Sequence, residues 1–516
     1  MLTKKFALIA VIVSLFAPSM SIFAQDAGAL LDLLVKKKII TDQEAEEVRA
    51  ELTKQVSETS SGKWKLSTPI TELELYGDVR FRYAYQGGQT DDNSPLARPA
   101  NGIAGHDDWQ ERERERYRVR LGLRGTLADD WFFGIRLETS TSPRSTNVTI
   151  GDDSGVNGPF SKDSDRISVG QAYVGYKGFR DITLTAGRMQ NPLVNTLMVW
   201  DPDINPEGAA EQWKRTFNFE FGGGTTVATA ETYGKEGGKG VVAPAASEPF
   251  KLKLDLFVNF AQFIYDDANP ENPLGPRARV SSGAGGATGQ TNDLIPNTDA
   301  FLLAWQAGAR VTLPKYNLFL QIAPTIYNYT GNGDTFNIHY QGGSPFVTNA
   351  ASLAQNQTGI NSLLVFDMPW EIGWKIKELP VHLFGDFAVN LEGDDRALAA
   401  GHPGFGDERY AYQVGAGVGQ LKQKHDWSID VWWQHSEQYS LDPNLVDDDI
   451  FDGRQNMEGI AAKAGYALTD AVSVNFTYNY GWRINDNLGT GGIVNAIGIN
   501  PIDQYQLFFA DLNVKF

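Results

Sequence analysis

The sequence predicts an all-β fold: a transmembrane antiparallel β-barrel of about 16 strands, with 18 possible, preceded by a short α-helical segment. Three observations predict it. From Thr71 to the C-terminus, side-chain character alternates with period two, the period of a strand with two unlike faces. Tight turns alternate with long polar loops along the same stretch. No run of eighteen apolar residues follows the N-terminal segment, which excludes ordinary transmembrane helices. A mean hydropathy of -0.31 suits a barrel whose polar lumen dilutes an apolar outer face. The chain has 516 residues, a length that would otherwise allow about three or four domains.

The pattern is plainest in Glu111 to Leu127, ERERERYRVRLGLRGTL. Even positions carry Arg112, Arg114, Arg116, Arg118, Arg120 and Arg124; odd positions from 117 carry Tyr117, Val119, Leu121, Leu123 and Leu127. As a helix this stretch would set Arg112/Arg116 and Glu111/Glu115 as like-charge i,i+4 neighbours. As a barrel strand it turns guanidinium groups to water and apolar side chains to lipid. The opposite register would place those arginines in lipid at roughly 2–4 kcal/mol each near the midplane.

Residues 1–24 read as a cleaved signal peptide. Lys4 and Lys5 form the charged region, Phe6 to Ala17 the apolar region, and Ser21-Ile-Phe-Ala24 the cleavage site. The chain has no Cys, which is compatible with export but proves little. Residues 25–60 read as a helical hairpin and linker: an apolar helix over Ala27 to Val35, then a second opened by the capping-box spacing of Thr41 and Glu44. This module is expected to be periplasmic, self-associating or touching peptidoglycan.

The barrel then occupies 71–516. In its first strand Leu73, Leu75, Val79, Phe81, Tyr83 and Tyr85 share one face, and Glu72, Glu74, Asp78, Arg80 and Arg82 the other. After the arginine strand comes one with Trp131, Phe133, Ile135 and Leu137 outward and Arg136 and Glu138 inward. Further strands are expected near 166–177, 182–189, 213–220, 250–264, 300–313, 317–328, 363–377, 381–391, 408–421, 427–437, 457–468, 472–483 and 505–516. Both faces of 166–177 are mixed, and 213–220 is short. Tight turns fall at Ala128–Asp130, Gly178–Asp181, Pro314–Tyr316, Glu378–Pro380, Lys422–Asp426 and Thr469–Ala471. Long loops fall on the opposite side, and the Gly/Ala/Thr-rich insert 221–249 breaks the alternation. An even strand count returns the chain to its starting side, as in bacterial barrels.

The last strand ends with Phe508, Ala510, Leu512, Val514 and Phe516 on one apolar face. It resembles the C-terminal signal by which outer-membrane barrels are read by their assembly machinery. It also lets the last strand pair with the first, leaving no open edge. Aromatics near strand ends (Trp131, Tyr410, Tyr412, Trp427, Trp482) suit interfacial girdles.

The whole resembles a Gram-negative outer-membrane porin, most closely the "putative porin" family, in which a short helical module precedes a barrel. LLDLLVKKKIITDQEAEEVRAEL and AGRMQNPLVNTLMVWDPDINPEGAA carry the resemblance. It implies passive diffusion of small hydrophilic solutes and names no substrate. A barrel of sixteen to eighteen strands leaves an aqueous channel. Loop 190–212 is the third long loop, the one that folds inward in general porins, and it carries Asp201, Asp203, Glu207 and Glu211. These acids are expected to face a basic wall of Arg112, Arg114, Arg116, Arg118, Arg120 and Arg124 with Arg80, Arg82 and Arg136. Opposed charge of this kind selects among ions; the bland alternative is mutual neutralisation.

The ladder argues for anions and the formal charge of -18 for cations. Much of that acid is expected in exterior loops: Asp91, Asp92, Asp394, Asp395, Asp447, Asp448, Asp449 and Asp452. Such loops either hold divalent cations that bridge lipopolysaccharide or are merely solvated. The six His residues are scattered and no HExxH, GxSxG or GxxxxGK[ST] occurs, so neither an enzyme nor a cofactor is expected, and nucleic acid is not an expected partner. Three readings compete: a diffusion porin, expected to be trimeric; an exporter of acidic polysaccharide, similar to alginate-export barrels; and a structural or adhesive protein.

Overall fold

A computed structural model describes residues 69–89, 109–140, 142, 144–151, 166–221, 249–266, 300–330, 362–400, 402–490 and 502–516. The expected signal peptide, the helical module and nearly all of insert 221–249 lie outside these residues. The strands are β1 (Ile70–Gln89), β2 (Gln110–Leu127), β3 (Trp131–Thr139), β4 (Val148–Thr149), β5 (Ile167–Tyr176), β6 (Ile182–Arg188), β7 (Glu207–Phe221), β8 (Phe250–Asp266), β9 (Ala300–Leu313) and β10 (Leu318–Ile322). They continue as β11 (Thr325–Thr330), β12 (Leu364–Asp367), β13 (Trp370–Ile376), β14 (Leu379–Asn390), β15 (Tyr410–Gly419), β16 (Trp427–Ser436), β17 (Met457–Ala467), β18 (Val472–Arg483) and β19 (Gln504–Lys515). A short helix α1 (Gly393–Ala399) follows β14.

Each strand pairs antiparallel with its neighbours, and β1 pairs with both β2 and β19, so the sheet closes. The wall has sixteen staves: β4 is a two-residue bridge beside β2, while β10/β11 and β12/β13 are each one stave broken once. The breaks fall at Ala323-Pro324 and Met368-Pro369. A proline ring removes the N–H that the ladder needs. The two breaks face each other, joined by the Ala323 N–H donating to the Pro369 carbonyl at 3.1 Å.

The faces follow the alternation. Leu75, Phe81, Val119, Leu121, Ile135 and Leu137 are exposed on the outside, while Asp78, Arg80, Arg82 and Arg118 are buried on the inside. Trp131, Tyr410, Trp427 and Trp482 are also exposed on the outer face. The mixed periodicity of 166–177 has a local cause. Arg136 pairs with Gln171 and Leu137 with Val169, so Gly170 forms a bulge. Ile167 and Val169 then share the outer face with Ala172 and Val174 across a change of phase.

Two long connections, 189–206 and 437–456, fold inside the barrel. Leu193, Met198, Val199 and Trp200 pack with Phe263 of β8, Leu302 and Ala304 of β9, Val365 of β12 and Ala388 of β14. Ile450 and Phe451 pack with Ala84 of β1, Ala461 of β17 and Leu507 and Phe509 of β19.

Candidate interior charge site

The site lies where β1, β2, β3 and β19 meet the infolded loops. Register sets it: Asp78 pairs with Arg120, Arg80 with Arg118, Arg82 with Arg116, and Gln86 with Arg112. Side chains at such positions lie about 4.5–5.5 Å apart at Cβ, so two basic rows stand beside each other and need counter-charge. Asp78 meets Arg118 Nη2 at 2.7 Å and Arg120 Nε at 2.6 Å. Arg82 is held in a bidentate pair by Asp511 of β19, at 2.8 and 2.9 Å, and by Asp449 at 3.0 Å. Arg80 donates to Asn147 at 2.7 and 3.1 Å. Arg136 pairs with Glu138 at 2.8 Å, and Arg124, near the short-turn end, pairs with Glu74 in the open at 2.6 Å.

Arg114 and Arg116 differ. Arg114 donates to the Gln86 side-chain oxygen at 2.6 Å, and Arg116 to Ser145 and to the Asn147 carbonyl. Their hydrogen bonds among the described residues go to neutral oxygens.

Loop 189–206 is pinned to the opposite wall. Gln306 of β9 accepts from the Val194 N–H at 3.0 Å and donates to its carbonyl at 2.7 Å, and Thr196 donates to Asp386 of β14 at 2.5 Å. From it Asp203 reaches toward Arg120 and Arg118, at 3.6 and 3.8 Å. Asp201 turns elsewhere, to Asp447 and Asp448 of the second infolded loop, with Arg144 Nε at 3.9 Å.

Glu207 and Glu211 correct the sequence reading. They belong to β7, which starts six residues earlier than the expected 213, directly after Pro206. They project from the outer face, sharing it with Leu184 and Phe260. Glu207 pairs with Arg188 at 3.0 Å and Glu211 accepts from Gln262 at 2.9 Å. Neither faces the arginines. The reason is compositional: Glu-Gly-Ala-Ala-Glu-Gln has small or polar residues on both faces, so period-two contrast vanishes there.

The acids of loop 437–456 are a second correction. Asp447 and Asp452 are buried inside the barrel, and Asp449 is tied to Arg82. Burial pushes Asp448 up to about 8, helped by repulsion from Asp449, and Asp447 up to about 6 for the same two reasons. Asp201 is raised well above the usual carboxylate range by burial and then by Asp447 and Asp448. Burial also opposes ionisation of Asp449, but the Arg82 guanidinium overcomes it and holds that carboxyl far below its ordinary value.

Sequence reasoning missed Asp511, Asn147 and Arg144. Asp511 alternates with the apolar face of β19 and was findable from that pattern; Asn147 and Arg144 sit in a loop without periodicity. The histidines that fall on strands are not brought together. His382 lies inside, 2.9 Å from Asp430, and His435 of β16 bonds Glu458 at 2.8 Å in a position paired on the outer face with Tyr412.

A closed sixteen-stave barrel with apolar exterior, charged interior and infolded loops is an outer-membrane channel of the porin class. The chain belongs to the family described as "Putative porin", whose profile matches residues 35–373. No curated protein matches the sequence. Among solved structures, the chain is similar to the outer membrane channel DcaP of Acinetobacter baumannii, with 12% identity, covering 88% of this chain and 100% of that one, at a TM-score of 0.36. It is also similar to an E1M, A104W mutant of the porin of Rh. blastica, with 9% identity, covering 86% and 100%, at a TM-score of 0.35.

Proposed function

We propose that the protein is a diffusion porin, passing small hydrophilic or charged solutes beside an arginine wall on β1–β3. The observation that carries the selectivity is the contrast within the arginine row. Arg118 and Arg120 share Asp78 and Asp203, whereas Arg114 and Arg116 spend their hydrogen bonds on neutral oxygens. Arg114 and Arg116 feel carboxylates only at longer range, Asp452 for the first and Asp448 and Asp449 for the second. They therefore hold the least compensated positive charge of the row, and a fixed charge beside a water path selects by sign. The preferred solutes are anions.

The polysaccharide-export reading calls for basic residues around the whole circumference. The wall opposite the arginines is mixed, with Asp367, Asp386, Asp255, Gln306 and Asn259 beside Arg310 and Lys253, and a mixed lining favours diffusion. The remaining assignments belong to the same proposal: export by a cleaved signal, residence among outer-membrane lipid and lipopolysaccharide, a homotrimer, and peptidoglycan contact through residues 25–60.

The test is reversal potential in planar bilayers under a KCl gradient. The wild type should favour chloride, and the Arg114→Gln/Arg116→Gln double variant should move clearly toward potassium. Arg118→Gln/Arg120→Gln should also move it toward potassium, because Asp78 and Asp203 are then left without their partners. Channels whose reversal potential ignores Arg114 and Arg116 would remove the arginine wall from the selectivity mechanism. No channels from folded protein would sink the diffusion reading.

A further inference from the structure

We propose that Asp201, Asp447 and Asp448 form a calcium site that ties the two infolded loops together. The ligand atoms of the three carboxylates lie within 4.8 Å of one another. One comes from loop 189–206 and two from loop 437–456, so the cluster straddles the seam between them.

The seam is already built. The Asp201 N–H donates to the Leu445 carbonyl at 2.6 Å, and the Asp447 N–H to the Leu197 carbonyl at 3.1 Å. The cluster therefore sits between segments fixed to each other by backbone.

A second observation points to a ligand. Asp201 is 2% exposed. Its Oδ1 accepts from the Asp203 N–H at 2.8 Å, while its Oδ2 is buried with no hydrogen-bond donor. Such an oxygen is rarely left bare inside a protein. The nearest cation is Arg144, whose Nε stands 3.9 Å away, beyond hydrogen-bond distance. Its two terminal nitrogens are committed to the Pro443 and Val446 carbonyls. Arg144 and, beside Asp447, Lys463 are the cations that face the cluster.

Neighbouring acids are turned away. Asp203 faces Arg118 and Arg120, and Asp449 faces Arg82. The run Asp447-Asp448-Asp449 is thus divided, two residues to the cluster and the third to an arginine.

The donor set is all oxygen, which selects a hard cation, and irregular loops with room for several oxygens suit calcium better than the strict octahedron of magnesium. The Asp447 Oδ1 accepts from the Asp449 N–H at 2.9 Å, leaving its second oxygen for the ion. Asp448 is only half-buried, so water can complete the coordination.

The test uses the full mature chain in detergent, stripped with EDTA and shown to be folded by heat-modifiable gel mobility. Calcium titration calorimetry is paired with terbium luminescence excited through tryptophan, since Trp200 adjoins Asp201. The wild type should show one saturable site at which calcium displaces terbium. Asp201→Asn and Asp447→Asn should each weaken it at least tenfold. Asp394→Asn/Asp395→Asn, on exposed acids of α1, should leave it unchanged. Trp200→Phe should dim the terbium signal while calorimetric calcium binding persists. Folded wild type without saturable calcium binding would overturn the proposal, and so would binding undiminished in both Asp201→Asn and Asp447→Asn.

Discussion

Asp78 shows how one carboxylate governs the charge of a wall. It lies inside the barrel, bonded to Arg118 and Arg120 at once, and the chain supplies it from β1 because its register sets it beside Arg120. Substituting Asp78→Asn keeps the shape and removes the charge. Two guanidiniums then face the interior with only Asp203, at 3.6 and 3.8 Å, to offset them. Breaking a buried pair by removing one partner costs about 3–5 kcal/mol. Two outcomes are expected: a lower urea midpoint for the barrel in lipid vesicles, and a reversal potential shifted further toward anions. A shift toward cations would show that Asp78 does not balance these arginines. Arg124→Gln is the contrasting case. Its pair with Glu74 is exposed, exposed pairs contribute about 0–1 kcal/mol, and neither stability nor selectivity should change measurably.

Among the elements, the infolded loop 437–456 has the largest consequence for the interior. Its anchor is Phe451, 1% exposed, in contact with the inner wall of β17–β19. The ring fits because residue 481 on β18 is glycine; a Cβ there would meet the Phe451 Cδ1 at 2.7 Å. Gly481→Val should therefore displace the ring, free the loop, raise single-channel conductance and open the loop to protease. Phe451→Ala should do the same, the lost packing of a buried Phe being worth about 3–5 kcal/mol. Unchanged conductance in both would mean that the loop does not narrow the channel. This element also marks where the sequence stops being legible. Strands are readable because lipid and interior impose opposite chemistry at every second residue, and β5 is blurred by the bulge at Gly170. Leu441 to Gly453, with five aspartates, reads as a solvated loop because the only basic residue beside it in sequence is Arg454, which pairs with Asp452. The counter-charge of Asp449 is Arg82, 367 residues away, and only the closed barrel brings them together. The same holds for Arg144, whose partners lie about 300 residues on. Glu207 and Glu211 fail for a different reason: small residues erase the contrast on which face assignment depends.

At the scale of the whole molecule, everything depends on the meeting of the first and last strands, because an unclosed sheet would leave unpaired N–H and C=O groups in lipid. β19 pairs with β1 from Gln504 to Lys515, and the seam ends at Phe516. Its N–H donates to the Gly77 carbonyl at 3.1 Å, and its carbonyl accepts from the Gly77 N–H at 2.9 Å. The aromatic ring lies over Gly77, where a Cβ would stand 2.6 Å from the ring Cζ. Leu512 and Val514 continue the same outer face, paired with Phe81 and Val79. Two readings of Phe516 are therefore separable by experiment: a ring seated over a glycine that locks the seam, and the proposed side-chain pattern for assembly machinery. Phe516→Ala affects both, whereas Gly77→Val blocks the seat, also crowds the Arg120 carbonyl of β2, which a Cβ would meet at 2.5 Å, and leaves the terminal pattern intact. If the seat matters, Gly77→Val lowers the heat-modifiable folded fraction severalfold, both in cells and on refolding into vesicles. Adding Phe516→Ala to it then costs little more, because residues in contact are not additive. If the pattern matters instead, Phe516→Ala refolds normally in vesicles and fails only in cells. Normal folding of all three variants in both settings would show that hydrogen bonding along the other β1–β19 pairs closes the barrel without help from its last residue.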